Sequence, residues 1–140
     1  TEPHITVIPP PSLPDEDTFI KDLINVCNET APFKINLNNL GQFGNRVLYI
    51  SVHSPQLIEL YDKIKNRLKL KKEKRGYTPH LTIVKKRPGR IIDMERVKKR
   101  AEIKIPATEY TLKSITVFYQ PKEHSIYVPY MEIPLGHEDR

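Results

Sequence analysis

The chain has 140 residues, of which 38% are hydrophobic and 29% charged, and these values fit one water-compatible globular domain. No apolar run approaches the roughly 20 residues needed to span a bilayer, and early prolines interrupt any leader-like stretch, so we expect no membrane partner and no secretory leader. The single cysteine, Cys27, excludes an internal disulfide and a cysteine metal cluster, and it favours a reducing, cytoplasmic setting.

Positive charge is concentrated in one part of the chain. The net charge is +6, but residues 63–104 alone hold seventeen Lys or Arg against four Asp or Glu. A local excess of this kind indicates a polyanionic partner such as nucleic acid. A solvated, lysine-rich helix face would give the same count, so charge leaves both readings open.

The predicted elements, in chain order, alternate between strands and helices. Apolar residues at steps of three and four predict an amphipathic helix at 15–28, and Ser54-Pro55 is a favourable start for a second helix that runs to 68. Asn38-Asn39-Leu40-Gly41 is expected to end a strand. A third short helix is expected at 93–100, a basic loop at 69–76 and a turn at 87–90. Strands are expected at 4–8, 33–37, 47–52, 79–84, 110–119 and 125–133. With no linker in between, we predict one α+β domain over residues 1–140.

One pentapeptide pattern occurs twice. Pro3-His4-Ile5-Thr6-Val7 is repeated as Pro79-His80-Leu81-Thr82-Ile83, each time as Pro, His, aliphatic, Thr, aliphatic. A second chance copy in so short a chain has odds on the order of one in a thousand. Similar elements follow each copy, which suggests two related halves about an approximate two-fold axis.

Strand geometry gives the repeated pattern a chemical meaning. Residues two apart in a strand point to one face, so His4 projects with Thr6, and His80 with Thr82. If the two strands lie side by side, two imidazoles and two hydroxyls meet in one cleft. One histidine can then remove a proton from the attacking hydroxyl or water while the other protonates the leaving oxygen. The threonine hydroxyls can donate hydrogen bonds to non-bridging phosphate oxygens.

Two other readings of the histidines are weaker. A single His-x-Thr strand is usually only a polar strand face, but two matched copies argue against that reading. A zinc site needs at least three protein ligands, and neither histidine is followed by a Cys, Asp or Glu two or three residues later in the chain. We therefore expect no metal and no other cofactor.

The two His-x-Thr motifs resemble those of the 2H phosphoesterase superfamily. It includes RNA 2′,5′-ligase-like proteins, phosphodiesterases acting on 2′,3′-cyclic ends, and 2′,5′-oligoadenylate phosphodiesterases. The resemblance covers nearly the whole chain and implies a bilobal α+β fold, with two antiparallel sheets about a pseudo-two-fold axis and helices outside. It also implies His4 and His80 as the acid–base pair and Thr6 and Thr82 as phosphate binders. Members often carry a basic residue after the second motif, where this chain has Lys85. A regular strand would aim that residue away from His80.

The chain differs from the family pattern at its start. In the family a strand and a helix normally precede the first motif, and here only Thr1, Glu2 and Pro3 do. We therefore expect the usual N-terminal strand and helix to be missing through truncation, processing or excision from a larger polypeptide. Alternatively, the first lobe is reduced or is completed by another chain.

The substrate class follows from the residues around the second motif. Basic segments at 69–75 and 85–90 flank it, which favours an extended RNA over a small cyclic nucleotide. Tyr77 and Tyr119 are the predicted aromatic contacts of the ligand. We expect cleavage or reversible formation of RNA phosphodiesters at 2′,3′-cyclic ends or 2′,5′ linkages. The alternatives are a 2′,5′-oligoadenylate or small cyclic-nucleotide phosphodiesterase and, from another class, a non-catalytic RNA-binding module. Which histidine is the acid and which the base stays open, as does the oligomeric state.

Overall fold

The computed structural model of the protein describes residues 4–9, 12–14, 17–71, 76–85, 93–104, 108–123 and 125–136. A 3-10 turn at Asp17–Phe19 leads into helix α1. The helices are α1 (Ile20–Asn28), α2 (Pro55–Arg67) and α3 (Met94–Lys104), and the strands are β1 (Phe33–Phe43), β2 (Val47–His53), β3 (His80–Lys85), β4 (Thr108–Leu112), β5 (Ser114–Tyr119) and β6 (Val128–Pro134). None of the helices in these ranges is long and apolar enough to cross a membrane.

The described strands form two antiparallel sheets. The larger sheet has the order β3-β2-β1-β4, and the smaller one pairs β5 with β6. Burial alternates along β2, where Leu48, Ile50 and Val52 are buried and the residues between them are only half-buried. This period of two gives the larger sheet one core face and one open face.

Helices α1 and α2 cover the core face. Both bury residues spaced three and four apart, which is the pattern of an amphipathic helix. Helix α2 begins at Ser54, whose hydroxyl accepts a hydrogen bond from the Leu57 amide at 3.2 Å and donates one to the Lys34 carbonyl at 3.0 Å. The cap therefore also attaches α2 to β1. The smaller sheet contributes to the same core through buried Ile133 and Leu135.

The predicted α+β class with two antiparallel sheets is confirmed, and so are the three helices and most strand positions. The described part of the first helix begins later than expected, with a 3-10 turn before Ile20. The expected strand at 4–8 is reduced to one antiparallel bridge between Ile5 and Leu81. Parts of the basic loop at 69–76 and the whole turn at 87–90 lie outside the described residues.

Two strand predictions were wrong. Strand β1 does not end at Asn38 but continues to Phe43, because a register irregularity between Leu37 and Leu40 absorbs the polar residues. The single strand expected at 110–119 is two strands separated by Lys113. Strand β4 pairs with β1 in the larger sheet, whereas β5 pairs with β6 in the smaller one.

Candidate active site

The antiparallel bridge between Ile5 and Leu81 brings the two His-x-Thr motifs together. Ile5 and Leu81 both pack against the hydrophobic core. In an antiparallel pair the residues on either side of a bridge lie opposite one another, so His4 lies opposite Thr82 and Thr6 opposite His80. Since successive residues of an extended chain point to opposite faces, these four side chains share the open face.

The spacing of the two histidines follows from the same register. They stand diagonally across the bridge, an arrangement with Cα atoms about 7–8 Å apart. That gap is wide enough for a phosphate group between the two imidazoles. His4 and Thr82 are exposed, and Thr6 and His80 are half-buried. The bridge thus relates the two motifs by a local two-fold axis, with each histidine opposite the threonine of the other motif in register. Their joint contact with one ligand stays a prediction.

The His80 ring is held by a backbone hydrogen bond. Its Nδ1 lies 2.8 Å from the carbonyl oxygen of Thr78. A carbonyl oxygen can only accept, so Nδ1 carries the proton of this bond and Nε2 is left as the proton-exchanging atom. The Cα partner of His80 on β2 is Ser51, which also lies on the open face. The bond thus fixes both the tautomer and the orientation of this imidazole.

Two aromatic rings pack against His80. Phe43 lies edge-on at 5.1 Å between ring centroids and Tyr49 at 5.3 Å. The two rings stack on each other at 4.3 Å. Gly41 is the Cα partner of Tyr49 on β1, and a Cβ atom there would fall 2.6 Å from the Tyr49 hydroxyl oxygen. The absence of a side chain at Gly41 therefore makes room for the tyrosine ring.

His4 also has an aromatic neighbour, but from the other sheet. Its ring centroid lies 6.3 Å from that of Phe118 on β5, with the planes tilted by 37°. Phe118 is 38% exposed. The smaller sheet therefore reaches the first motif through Phe118.

Tyr77 contacts the backbone of the first motif. Its hydroxyl donates a hydrogen bond to the Thr6 carbonyl at 2.8 Å. Its ring stacks on buried Tyr61, with centroids 4.2 Å apart and planes within 10°. These contacts favour a positioning role for Tyr77, and its predicted contact with the ligand stays a prediction.

The other two predicted ligand residues differ in their relation to the site. A register irregularity between Leu48 and Tyr49 leaves Lys85 as the Cα partner of Val47. The irregularity therefore changes the backbone register of Lys85 from that of a regular strand. Tyr119 lies beside Tyr130, with ring centroids 5.6 Å apart. For both residues the ligand contact stays a prediction.

Sequence reasoning missed the aromatic residues that contact the histidines. The predicted aromatic contacts of the ligand were Tyr77 and Tyr119, whereas the rings beside the histidines are those of Phe43, Tyr49 and Phe118. Their placement depends on strand register, which the irregularities in β1 and β3 alter. Within the described ranges, no group of three or more His, Cys, Asp or Glu side chains could hold a metal ion.

Comparison with known proteins relates most of the chain to one group. A sequence model described as the 2′-5′ RNA ligase superfamily matches residues 1–124. An RNA 2′,3′-cyclic phosphodiesterase of Methanocaldococcus jannaschii is 34% identical over 91 residues, which cover 60% of this chain and 49% of that protein. A Bacillus cytotoxicus protein named as a phosphoesterase is 33% identical over 89 residues, covering 60% of this chain and 52% of its own. The chain thus spans about half the length of the curated relatives it matches.

Solved structures give the same relation at the level of the fold. The crystal structure of E. coli LigT complexed with 3′-AMP superimposes with a TM-score of 0.63 and 17% identity, covering 96% of this chain and 78% of LigT. A structure of TT0787 from Thermus thermophilus gives a TM-score of 0.61 at 14% identity, covering 97% of this chain and 80% of TT0787. At such low identity the likeness concerns the fold alone.

Proposed function

This chain belongs to the 2′-5′ RNA ligase superfamily of 2H phosphoesterases, and from that premise we propose that His4 and His80 form a general acid–base pair acting on RNA phosphodiesters. The bonds concerned are those at 2′,3′-cyclic phosphate ends or in 2′,5′ linkages. The observation that carries the proposal is the antiparallel bridge between Ile5 and Leu81, which joins the two motifs. In an antiparallel register of this kind both histidines and both motif threonines would lie on one face.

The reaction on a 2′,3′-cyclic phosphate needs no group beyond these side chains. One histidine removes a proton from water, and the water oxygen forms a bond to phosphorus. The phosphorus bond to one ribose oxygen breaks, and the other histidine protonates that oxygen as it leaves. The product is a ribose phosphomonoester with a free neighbouring hydroxyl, and the two histidines have exchanged protonation states.

The 2′,5′ linkage follows from the same chemistry with another nucleophile. When the 5′-hydroxyl of a second RNA replaces water, loss of the 3′-oxygen leaves a 2′,5′ phosphodiester. In reverse, the 3′-hydroxyl attacks the linkage, the 5′-oxygen leaves with a proton, and the cyclic phosphate forms. Ligation and cleavage are thus one reversible step on one acid–base pair.

Hydrogen-bond donors beside the phosphate would stabilise its growing negative charge. The antiparallel register would put the hydroxyls of Thr6 and Thr82 on the same face as the imidazoles. Donors fixed in advance are effective because they need no reorganisation during the reaction. Lys85, which ends β3 after the second motif, is the proposed cation of the site.

Hydrolysis of defined short RNAs tests the proposal. The substrates end in a 2′,3′-cyclic phosphate or contain one 2′,5′ linkage, and the assay contains EDTA. His4→Ala and His80→Ala should each lower turnover by about 100-fold or more, since a positioned acid or base contributes about that much. The profile of kcat/KM against pH should be bell-shaped for the unmutated chain.

A threonine series provides the matched control. Thr6→Val and Thr82→Val should lower kcat, whereas Thr111→Val should not, because Thr111 is an exposed threonine on β4, at the far edge of the larger sheet. RNA binding that weakens steeply with salt, without turnover of any substrate by the unmutated chain, would contradict the proposal and indicate an RNA-binding module.

A further inference from the structure

Each of the two histidines lies beside an exposed phenylalanine. Phe43 is 42% exposed and has its ring 5.1 Å from that of His80. Phe118 is 38% exposed and has its ring 6.3 Å from that of His4. Large apolar rings left open to water beside polar catalytic groups are typical of ligand contacts.

The two phenylalanines occupy matching places in two different hairpins. Phe43 is the last residue of β1, beside the turn into β2, and Phe118 is the last but one residue of β5, before the connection to β6. One hairpin belongs to the larger sheet and the other to the smaller. Each ring thus lies beside a different imidazole.

The Phe43 ring is also held rigidly. One side of it stacks on Tyr49 at 4.3 Å, and Tyr49 in turn occupies the space left by Gly41. A ring fixed in this way loses little conformational freedom when a flat group stacks on it. The exposed turns of the two hairpins carry Arg46 and Lys122, whose positive charge suits the phosphates of a longer strand.

We propose that Phe43 and Phe118 are stacking platforms for two nucleobases, one on each side of the reacting phosphate. This inference rests on the proposed acid–base function and narrows its substrate. An internal 2′,5′ linkage has a nucleoside on both sides of the phosphate and occupies both platforms. A mononucleoside 2′,3′-cyclic phosphate has one base and occupies only one. The site is therefore built for the linkage between two nucleosides, with their bases splayed apart and stacked on the two rings.

The two rings have a plain structural alternative. Exposed aromatic residues are common on strands, and these two could serve only to hold the imidazoles in place. In that case substitution would affect every substrate alike, whether or not a base is present. A platform for a base gives a different result, because its contribution disappears when that base is removed from the substrate.

The test combines substitutions in the protein with deletions in the substrate. The substrates are a 2′,5′-linked diadenosine monophosphate and two analogues in which one or the other adenine is replaced by hydrogen. Phe43→Leu and Phe118→Leu remove the aromatic face but keep an apolar side chain. Each should raise KM for the full dinucleotide by about 5- to 150-fold, the range for one stacked base. Each should leave KM nearly unchanged for the analogue that lacks the base it contacts.

Three comparisons complete the design. On adenosine 2′,3′-cyclic phosphate only one of the two variants should raise KM. Tyr110→Leu, which removes a 52% exposed ring on β4, should raise it on no substrate. Equal rises in KM on all four substrates would refute the proposal that the two rings stack on bases. So would abasic analogues that the unmutated chain binds as well as the parent dinucleotide. If the unmutated chain turns over nothing, the acid–base proposal fails, and quenching of a 2-aminopurine dinucleotide by the chain and its variants still decides the stacking.

Discussion

Removal of the Tyr77 hydroxyl tests how the first motif is held in place. The phenol donates to the Thr6 carbonyl at 2.8 Å, and the ring stacks on Tyr61 at 4.2 Å. Tyr77→Phe keeps the stack and loses only the hydrogen bond. Such a bond contributes about 0.5–1.5 kcal/mol net, so the free energy of unfolding should fall by about 1 kcal/mol.

The effect of this substitution on catalysis should exceed its effect on substrate binding. Thr6 is two residues from His4, and in the described part of the chain their segment is joined to β3 by the bridge at Ile5. Loss of the bond would allow His4 to shift relative to the phosphate. We expect kcat to fall about 5- to 10-fold, which corresponds to about 1–1.4 kcal/mol in the activation free energy. KM should change less than twofold.

Denaturant unfolding and steady-state kinetics on the same RNA substrates measure both effects. Tyr110→Phe is the control, since it removes an exposed phenol on β4. Loss of stability with unchanged kcat would refute the positioning role and leave a purely structural bond. A rise in KM with unchanged kcat would instead indicate that the phenol contacts the ligand, as the sequence predicts.

Three further predictions concern the groups that surround the site and the core. Gly41→Ala should lower kcat/KM about 5- to 10-fold, because a Cβ atom there would displace the Tyr49 ring. Gly76→Ala is the control: no atom lies within 4 Å of the new methyl group, so activity and stability should change little. Gly136→Ala should lower the free energy of unfolding by about 2–3 kcal/mol in thermal denaturation, because the methyl would collide with the backbone of α1; a fully stable variant would contradict that close contact. Burial raises the pKa of the Cys27 thiol from 9.0 to about 11, so the unfolded chain loses this proton first as the pH rises. Stability should therefore fall between pH 9 and pH 11, by up to about 3 kcal/mol, and denaturant unfolding of Cys27→Ala should lack this component.

The helices and the motif strands could be predicted because their signals are local. The buried stripe of α2 and its cap at Ser54 can be recognised from the sequence of that one helix. The second His-x-Thr copy falls in β3, where a period of two fixes which residues share a face. The convergence of the motifs needed one more assumption, that the two strands are neighbours, and the bridge at Ile5 satisfies it.

The missed features depend on register between strands. The apolar residues of 108–119 fall at Tyr110 and Leu112 and then at Ile115 and Val117, so the alternation changes phase across Lys113. That shift marks the point where the chain passes from one sheet to the other, and the division into two strands could have been predicted from it. The contact of Phe43 with His80 left no such signal, because it arises across two strand pairings and two register irregularities.

The antiparallel bridge has a consequence for the direction of the reaction. Its local two-fold relation makes each half of the site a histidine of one motif with the threonine of the other, so the backbone alone does not distinguish acid from base. The surroundings do differ, because the His80 ring lies against the stacked pair of Phe43 and Tyr49 with its tautomer fixed, whereas the His4 ring lies beside Phe118 of the smaller sheet. A substrate with two different nucleosides would therefore bind in a preferred direction. The aromatic rings, rather than the motifs, would decide which histidine receives the proton.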